Sequence, residues 1–226
     1  MSPLRRVVLV RRDEVLAERH PQADEDVHLG ETIVRAVVED LTAPGDVVLD
    51  PFAGYGTTLR VATGSGRSAV GVELLPERAR IAADVAPEAR VVVGDARRLR
   101  HLDLGLAPGE VDLVLTSPPY MTAADHPEDP LAGYTGDGAD YARYLGQLRD
   151  VLAACLDLLS PDGHLVVNVA TIGGGTGARA TPFTPLAWDV GRLLADVGRL
   201  VQESFVVWDR PWHDLSGDYL LVARRR

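Results

Sequence analysis

The stretch from Val47 to Ala62 constrains the fold of this chain more than any other part of it. The apolar run Val47–Leu49 is followed by Asp50–Thr58, which contains two glycines, and then by a segment with helical character. Gly54 and Gly56 allow the backbone to turn sharply and to approach a ligand closely. The amide groups at the start of the following helix would face an anionic group there. A strand, a glycine turn and a helix in this order are typical of a nucleotide-type cofactor site, although a plain strand–helix turn has the same pattern.

Short apolar segments alternate with segments of helical periodicity along most of the chain. Strands are predicted at residues 47–50, 68–72, 90–93, 111–115, 164–169, 200–208 and 219–223. Helices are predicted at residues 28–41, from about residue 57, and at 76–85, 140–159 and 186–197. This alternation indicates a buried parallel sheet with right-handed crossovers. The last two strands are joined by a short link without a helix, so they should pair antiparallel. The prediction is an α/β fold with a seven-stranded, mostly parallel sheet that ends in an antiparallel hairpin.

Residues 1–27 precede this alternation and are interpreted as an N-terminal arm. Within the arm, Val7–Val10 is either an edge strand or part of an ordered extension. Residues 28–226 are expected to form a single domain, because the length suits one α/β core and no internal repeat is present. Two segments rich in Gly, Pro and Asp, at 121–139 and 171–185, interrupt the alternation and are interpreted as loops.

The charge balance limits the partners of the chain. The formal net charge is −10, since 33 acidic residues outnumber 23 basic residues, all of which are arginine. This counts against a free-standing binder of duplex DNA, because phosphate neutralisation supplies most of the affinity of such proteins. Cys155 is the only cysteine, which excludes an intramolecular disulfide and a cysteine cluster for a metal, and no metal site is predicted. Without a signal-peptide pattern or about twenty consecutive apolar residues, a cytoplasmic protein that does not enter a membrane is expected.

Polar residues follow four of the predicted strands directly. They are Asp50–Gly56, Glu73, Asp95 and Ser117–Tyr120. Because ligands bind at the carboxyl ends of the strands in open parallel sheets, we expect these residues to line one crevice. Glu73 is placed to accept hydrogen bonds from both hydroxyls of a ribose, and the competing interpretation is a solvated loop carboxylate. Asp95 is placed to accept from an adenine amino group, and the competing interpretation is an N-cap or Asx-turn residue.

The segments Asp50–Thr58 and Thr116–Tyr120 together resemble the amino-methyltransferases that use S-adenosylmethionine and methylate N4 of cytosine or N6 of adenine in nucleic acid. The Ser-Pro-Pro-Tyr form of the second segment is more typical of the cytosine-N4 group. The resemblance extends over roughly residues 28–223 and matches the permuted order, in which a helix precedes the glycine motif. It implies a Rossmann-like methyltransferase fold, with residues 28–226 as one catalytic domain. Sequence-specific DNA methyltransferases of this group carry a target-recognition segment, but this sequence has only the arm before His28 and the loops at 121–139 and 171–185 for it, so no separate target-recognition domain is expected.

The resemblance also implies which residues bind the cofactor. The segment around His28–Thr32 would help to hold the methionine carboxylate, while Glu73 and Asp95 would take the ribose and the adenine. The complete implied set for S-adenosylmethionine is His28, Thr32, Asp50, Pro51, Phe52, Ala53, Gly54, Gly56, Thr57, Thr58, Glu73, Asp95 and Ala96.

Residues Ser117–Tyr120 have the chemistry to receive an amine. A neutral exocyclic amine attacks the sulfonium methyl group in line, which requires close positioning and neither a metal nor a covalent nucleophile. The Ser117 hydroxyl and the Pro118 carbonyl can accept hydrogen bonds from an NH2 group. Pro118 and Pro119 have fixed φ and no N–H, so the turn is stiff, and the Tyr120 ring offers a stacking surface for a planar substrate. The competing interpretation is a rigid turn at a strand end with a core tyrosine.

Two further features have mainly structural interpretations. Cys155 lies among apolar residues of the helix at 140–159 and is interpreted as a small core residue. The aromatic cluster Trp208–His213 could line the mouth of the substrate site, but a turn between two strands explains it better.

Three functions agree with the sequence. The first is a nucleic-acid amino-methyltransferase, with N4 of cytosine favoured over N6 of adenine, that acts on DNA or RNA and has a partner protein for target recognition. The second is an N-methyltransferase of a small molecule or peptide, which the acidic charge suits. The third is a cofactor-binding subunit without turnover of its own, against which the intact Ser117–Tyr120 turn argues.

Overall fold

A computed structural model describes residues 3–21, 29–119, 141–172, 184–210 and 215–226. Eight strands within these ranges form one sheet: β1 Val7–Val10, β2 Val47–Asp50, β3 Ser68–Glu73, β4 Arg90–Val93, β5 Val111–Thr116, β6 Leu159–Ile172, β7 Arg199–Trp208 and β8 Leu215–Arg224. Their spatial order is β1-β7-β8-β6-β5-β2-β3-β4. β8 pairs antiparallel with β6 and β7, and all other neighbouring strands pair parallel. The predicted Rossmann-like α/β class, with a mostly parallel sheet and an antiparallel C-terminal pair, is confirmed.

The predicted number of seven strands is wrong, because β1 adds an eighth strand at one edge of the sheet. Val8 and Val10 are buried, whereas Val7 and Leu9 on the other face of β1 are exposed. Of the two interpretations of Val7–Val10, the edge strand is therefore confirmed. The sequence left it open because a run of four apolar residues between arginines is short and its partner β7 lies at the other end of the chain. The division of the chain into an arm at 1–27 and a domain at 28–226 stays a prediction.

Six α-helices and a 3-10 helix lie in the described residues. They are α1 Arg12–Glu18, α2 Glu31–Leu41, α3 Thr57–Gly64, α4 Pro76–Val85, α5 Tyr141–Leu158, α6 Leu186–Val197 and the 3-10 helix Ala96–His101. The sequence did not indicate α1 or the 3-10 helix. α1 has seven residues, of which only Val15 is buried, so its periodicity is too short to detect.

Apolar side chains are buried on both faces of the sheet. One face packs against α2 and α3 through residues that include Val37 and Leu59. The other face packs against α5 and α6 through residues that include Leu152 and Val190. Cys155 is fully buried in this second layer, which confirms its interpretation as a core residue, and burial raises the pKa of its thiol. The thiol is therefore neither accessible nor ionised as a nucleophile would be.

None of the helices in the described part of the chain is long and apolar enough to cross a membrane. The same residues contain no group of three or more His, Cys, Asp and Glu side chains arranged to hold a metal ion.

Candidate active site

Four parallel strands bring the predicted site residues to one edge of the sheet. Asp50 ends β2, Glu73 ends β3, Asp95 follows β4 and Ser117 follows β5. β2 pairs in parallel with β3 and with β5, and β3 pairs in parallel with β4, so their carboxyl ends meet at the same edge. The placement at a common edge is as expected from the sequence, while the binding role of each residue stays a prediction. His28 and Tyr120 lie outside the described residues.

The turn after β2 depends on its second glycine. Gly56 has φ of 87°, and a Cβ atom added there would lie 2.9 Å from the Cα atom of Ala82 on α4. Any side chain at this position would therefore be strained and would also collide with α4. Gly54 has φ of 52°, and the Ala53 amide donates to the Val72 carbonyl at 2.9 Å. Between residues 51 and 58, the buried residues are Pro51, Ala53, Gly56 and Thr58, and the half-buried ones are Phe52, Gly54, Tyr55 and Thr57.

Asp50 lies at the centre of the site and is 3% exposed. Its Oδ1 atom accepts hydrogen bonds from the Phe52 amide at 3.1 Å and from the Thr116 hydroxyl at 2.7 Å. Burial raises the pKa of this carboxyl, and hydrogen bonds from Thr58, Thr116 and Phe52 partly oppose the effect. Asp50 thus stabilises the turns on either side of it.

Glu73 is buried against the glycine turn instead of being solvated, since its exposed fraction is 8%. Its Oε2 atom accepts from the Gly54 amide at 2.9 Å, and Oε1 accepts from the Leu75 amide at 3.0 Å. Burial raises the pKa of Glu73, and the two amides and Arg78 act in the opposite direction. Each carboxylate oxygen has a second lone pair, so the bonds to the turn leave acceptor capacity for ribose hydroxyls.

Asp95 is the N-cap of the 3-10 helix that begins at Ala96. Its Oδ1 atom accepts from the Arg97 amide at 2.9 Å, and the Arg97 guanidinium donates to Oδ2 at 2.6 Å. Burial opposes ionisation of Asp95, but the bonds from Arg97 outweigh it and lower the pKa. The geometry therefore shows the N-cap that the sequence left open as an alternative, and the contact with adenine stays a prediction.

The turn after β5 is held from two sides. Thr116 at its base bonds to Asp50, and the Tyr144 hydroxyl of α5 donates to the Pro119 carbonyl at 3.1 Å. Ser117 and Pro119 are half-buried, while Pro118 is buried. This stiff arrangement fits the predicted role of the turn as a receiver of an amine.

Asn168 on β6 is a polar residue of the site that sequence reasoning missed. Thr116 pairs with Val167, so Asn168 lies beside Ser117 on the neighbouring strand. Asn168 is 6% exposed, and its Nδ2 atom makes a long contact of 3.4 Å with the Tyr219 carbonyl. The signal was a single amide within the apolar run of β6. Its side chain can both donate and accept hydrogen bonds next to the Ser117 turn.

The segment around α1 contacts the cofactor half of the site, which the sequence also did not indicate. Glu18 Oε2 accepts from the Glu31 amide at the start of α2 at 2.7 Å, and burial raises the pKa of Glu18. The His20 ring is stacked on the Tyr55 ring of the glycine turn, with centroids 6.3 Å apart. Thr32, which was predicted to contact the cofactor, is half-buried in the first turn of α2.

Comparisons with known proteins give matches of sequence and of fold. Residues 17–84 match the N6_N4_Mtase family model, described as "DNA methylase". Type II methyltransferase M.XycI of Xanthomonas campestris pv. cyanopsidis is 46% identical over 52 residues, which are 23% of this chain and 17% of that protein. Type II methyltransferase M.MjaVI of Methanocaldococcus jannaschii is 28% identical over 108 residues, which are 48% of this chain and 50% of that protein.

One solved methyltransferase structure has a similar fold. It is the 1,6-didemethyltoxoflavin-N1-methyltransferase of Burkholderia thailandensis with bound 1,6-didemethyltoxoflavin and S-adenosylhomocysteine. The TM-score is 0.54 at 22% identity, over 85% of this chain and 76% of that one. The alignments with the two type II methyltransferases span at most half of those proteins. The family model and these two relatives each match less than half of this chain, and the matches are with DNA methylases and type II methyltransferases.

Proposed function

We propose that this chain belongs to the DNA amino-methyltransferase family, which it resembles in part, and that it transfers a methyl group from S-adenosylmethionine to an exocyclic amino group of a nucleic-acid base. One observation carries the proposal: Asp50 Oδ1 bonds both to Phe52 of the glycine turn and to Thr116 at the base of the Ser117 turn. Methyl transfer requires that donor and acceptor are held close and collinear. A carboxylate shared by the two turns fixes them relative to each other.

The residues around the glycine turn fit S-adenosylmethionine. A buried carboxylate, Glu73, lies against a turn in which Gly54 has open space beside its Cα atom. Glu73 would hold the ribose hydroxyls, and the first turns of α2 and α3 would face the methionine carboxylate with their amides. When bound, S-adenosylmethionine supplies a methyl group on a positively charged sulfur that leaves as a neutral thioether.

The acceptor side needs groups that orient an amine and favour positive charge on its nitrogen. Ser117 Oγ and the Pro118 carbonyl accept its N–H groups, and this aims the nitrogen lone pair at the methyl group. Asn168, beside Ser117, offers a further acceptor for the same amine. As the N–C bond forms, these oxygens stabilise the developing positive charge, and the nitrogen then loses one proton to solvent.

The preferred target is N4 of cytosine instead of N6 of adenine, because the segment that begins at Ser117 has the Ser-Pro-Pro-Tyr form, which is more typical of the cytosine-N4 group. The substrate is DNA or RNA. With a net charge of −10, the chain alone is a poor binder of polyphosphate. A partner protein that supplies target recognition is therefore part of the proposal. Cytoplasmic localisation is proposed as well, consistent with the free thiol of Cys155.

A second candidate is N-methylation of a small molecule. The structural neighbour from Burkholderia thailandensis was solved with a small heterocycle bound, and the acidic charge of this chain suits such an acceptor. A non-catalytic cofactor-binding subunit is the third candidate.

Incubation of the chain with methyl-labelled cofactor and separate pools of DNA, tRNA, rRNA and small-molecule extract tests the three candidates. The proposed function predicts label in a nucleic-acid pool, and digestion to nucleosides should show N4-methylcytosine. Label in the small-molecule pool alone would support the second candidate. Cofactor binding by calorimetry without label in any pool, with or without added cell extract as a source of partner protein, would support the third.

A further inference from the structure

Trp208 and Asp218 form a buried polar pair near the ends of β7 and β8. The Trp208 indole Nε1–H donates to Asp218 Oδ2 at 2.7 Å. Asp218 is 6% exposed. The hydrogen bond fixes the orientation of the carboxyl group, because the indole ring is large and its N–H has a single direction.

Asp218 lies at the same edge of the sheet as the amine-binding turn. β8 runs antiparallel to β6, with Asp218 opposite Ala170 and Leu220 opposite Asn168. The start of β8 therefore lies beside the carboxyl end of β6, next to Asn168, which in turn adjoins Ser117 on β5.

Asp218 also lies on the same face of the sheet as Ser117. Leu115 and Leu220 belong to the core layer that packs against α2. Because alternate residues of a strand share a face, Ser117 and Asp218 are on the side of Leu115 and Leu220, respectively. Ser117, Asn168 and Asp218 thus lie on one face of β5, β6 and β8, with Asp218 two residues closer to the carboxyl edge than Leu220, the partner of Asn168. Two strand spacings and this two-residue offset separate the Cα atoms of Ser117 and Asp218 by about 12 Å.

No cation in the described residues compensates the Asp218 carboxylate. Burial raises its pKa, and the hydrogen bond from Trp208 opposes this only in part. Asp50, which is also buried, has three donors of its own. A buried carboxylate with one neutral donor is costly, and at the ligand-binding edge of a sheet such a group is a candidate for ligand recognition.

We propose that Asp218, oriented by Trp208, forms the wall of the acceptor pocket opposite Ser117 and accepts a hydrogen bond from the acceptor. The donor is an N–H or O–H group other than the amine that is methylated. This assignment rests on the proposed function. The ligand class is a planar heteroaromatic amine with a second donor about one ring away, such as a nucleoside with its sugar hydroxyls. Asp218 is then a specificity-determining residue, and Trp208 is a positioning residue.

The Asp218→Asn variant separates recognition from a purely structural role. Asparagine keeps the shape and still accepts from Trp208, but it removes the negative charge. Because hydrogen bonds to charged groups are the stronger ones, the KM for the acceptor should rise by about tenfold or more. The affinity for S-adenosylhomocysteine by calorimetry and the kcat should change by less than about twofold.

Two more variants complete the test. Trp208→Phe keeps an aromatic ring and removes the N–H group that orients Asp218. It should also raise the KM for the acceptor, and it provides the test if Asp218→Asn does not fold. Ser204→Ala is the matched control, because Ser204 is a fully buried polar residue of β7, one strand farther from Ser117 than Asp218, and its hydroxyl oxygen accepts from Gln202 Nε2 at 2.9 Å. This control should lower the melting temperature and leave the acceptor KM unchanged.

The outcomes distinguish the inference from the proposed function. If the wild type is active and folded Asp218→Asn has an unchanged KM for the acceptor, the role of Asp218 is overturned and the proposed function stays intact. If Ser204→Ala raises the KM for the acceptor equally, the effect comes from a general loss of packing, and this result also overturns the role of Asp218. A wild type that methylates no acceptor in any pool overturns both.

Discussion

The Thr116 hydroxyl donates a hydrogen bond of 2.7 Å to the Asp50 carboxylate, although the two residues lie 66 positions apart in the chain. Both are buried, with exposed fractions of 0% and 3%. The same Asp50 oxygen accepts from the Phe52 amide. The glycine turn, which positions the methyl donor in the proposed function, is thereby connected to the Ser117 turn, which positions the amine. A displacement of one turn is transmitted to the other through a single carboxylate.

Thr116→Val removes this connection and keeps the shape of the side chain. The free energy of unfolding should fall by about 1–3 kcal/mol, because a buried carboxylate loses one of its three hydrogen-bond donors. The kcat for methyl transfer should fall about tenfold or more, since the two turns are no longer fixed relative to each other. Urea unfolding and steady-state transfer of labelled methyl groups measure the two effects.

Thr42→Val provides the matched control. Thr42 is 8% exposed, and its hydroxyl donates to the Val38 carbonyl at 2.6 Å, far from the candidate site. This variant should lose stability and keep its kcat. An equal kcat in the two threonine variants would show that the connection between the turns does not contribute to transfer.

Ser117→Ala should slow methyl transfer while leaving cofactor binding nearly unchanged. The hydroxyl contacts only the amine in the proposed mechanism, so its removal should reduce kcat by about ten- to a hundredfold, as for the loss of one general hydrogen-bonding group in a transition state. Single-turnover transfer and calorimetry with S-adenosylhomocysteine measure the two quantities. Equal loss of both would remove Ser117 from the acceptor side.

Gly56→Ala should destabilise the fold by at least about 2 kcal/mol, because the residue has φ of 87° and the new methyl group would lie 2.9 Å from the Ala82 Cα atom. Gly64→Ala is the control, since Gly64 is the last residue of α3 and has open space around its Cα. That change should stabilise the chain by roughly 0.5–1 kcal/mol. Thermal unfolding of both variants checks the contrast, and similar melting temperatures would contradict the strain assigned to Gly56.

Glu73→Ala should weaken cofactor affinity about tenfold or more, since a charge-assisted hydrogen bond to each ribose hydroxyl would be lost. Glu88→Ala, at an exposed position between α4 and β4, is the control and should bind the cofactor normally. Calorimetry with S-adenosylhomocysteine gives both dissociation constants. An affinity that Glu73→Ala leaves unaltered would exclude Glu73 from the ribose site.

The strand-and-helix alternation was enough to predict the fold class, because buried parallel strands are continuous apolar runs that can be identified without knowing which strands they pair with. It was not enough for β1, whose four apolar residues become a strand only by pairing with β7. The same limit applies to α1, which has one buried residue. Local pattern therefore predicted the elements that can be identified alone and missed those that depend on tertiary contacts.

The candidate site was predictable where a residue ends a strand or follows it directly, as Asp50, Glu73 and Ser117 do. Asn168 was missed because it is a single polar residue in an apolar run, and Asp218 because it directly precedes the predicted strand at 219–223. Only the register places the two residues on the strands beside Ser117. The hydrogen-bond partners of a side chain could not be predicted from the sequence either. The bonds from the Arg97 amide and guanidinium to Asp95, for example, depend on local geometry.

Asp218 and Asp95 should give opposite pH dependences of stability. Burial raises the pKa of Asp218 in the folded chain. Its contribution to the free energy of unfolding is therefore full below the unfolded pKa of 3.8 and is lost as the pH rises through the folded pKa. The Arg97 bonds lower the pKa of Asp95, so its contribution is full above 3.8 and is lost as pH falls through the folded value. Melting temperatures of the wild type and of both variants, measured from about pH 2.5 to pH 8, test the two directions. The melting temperature of the wild type should fall relative to that of Asp218→Asn as the pH rises, and relative to that of Asp95→Asn as the pH falls. Parallel curves for the wild type and Asp218→Asn would show that this carboxyl is not perturbed by burial.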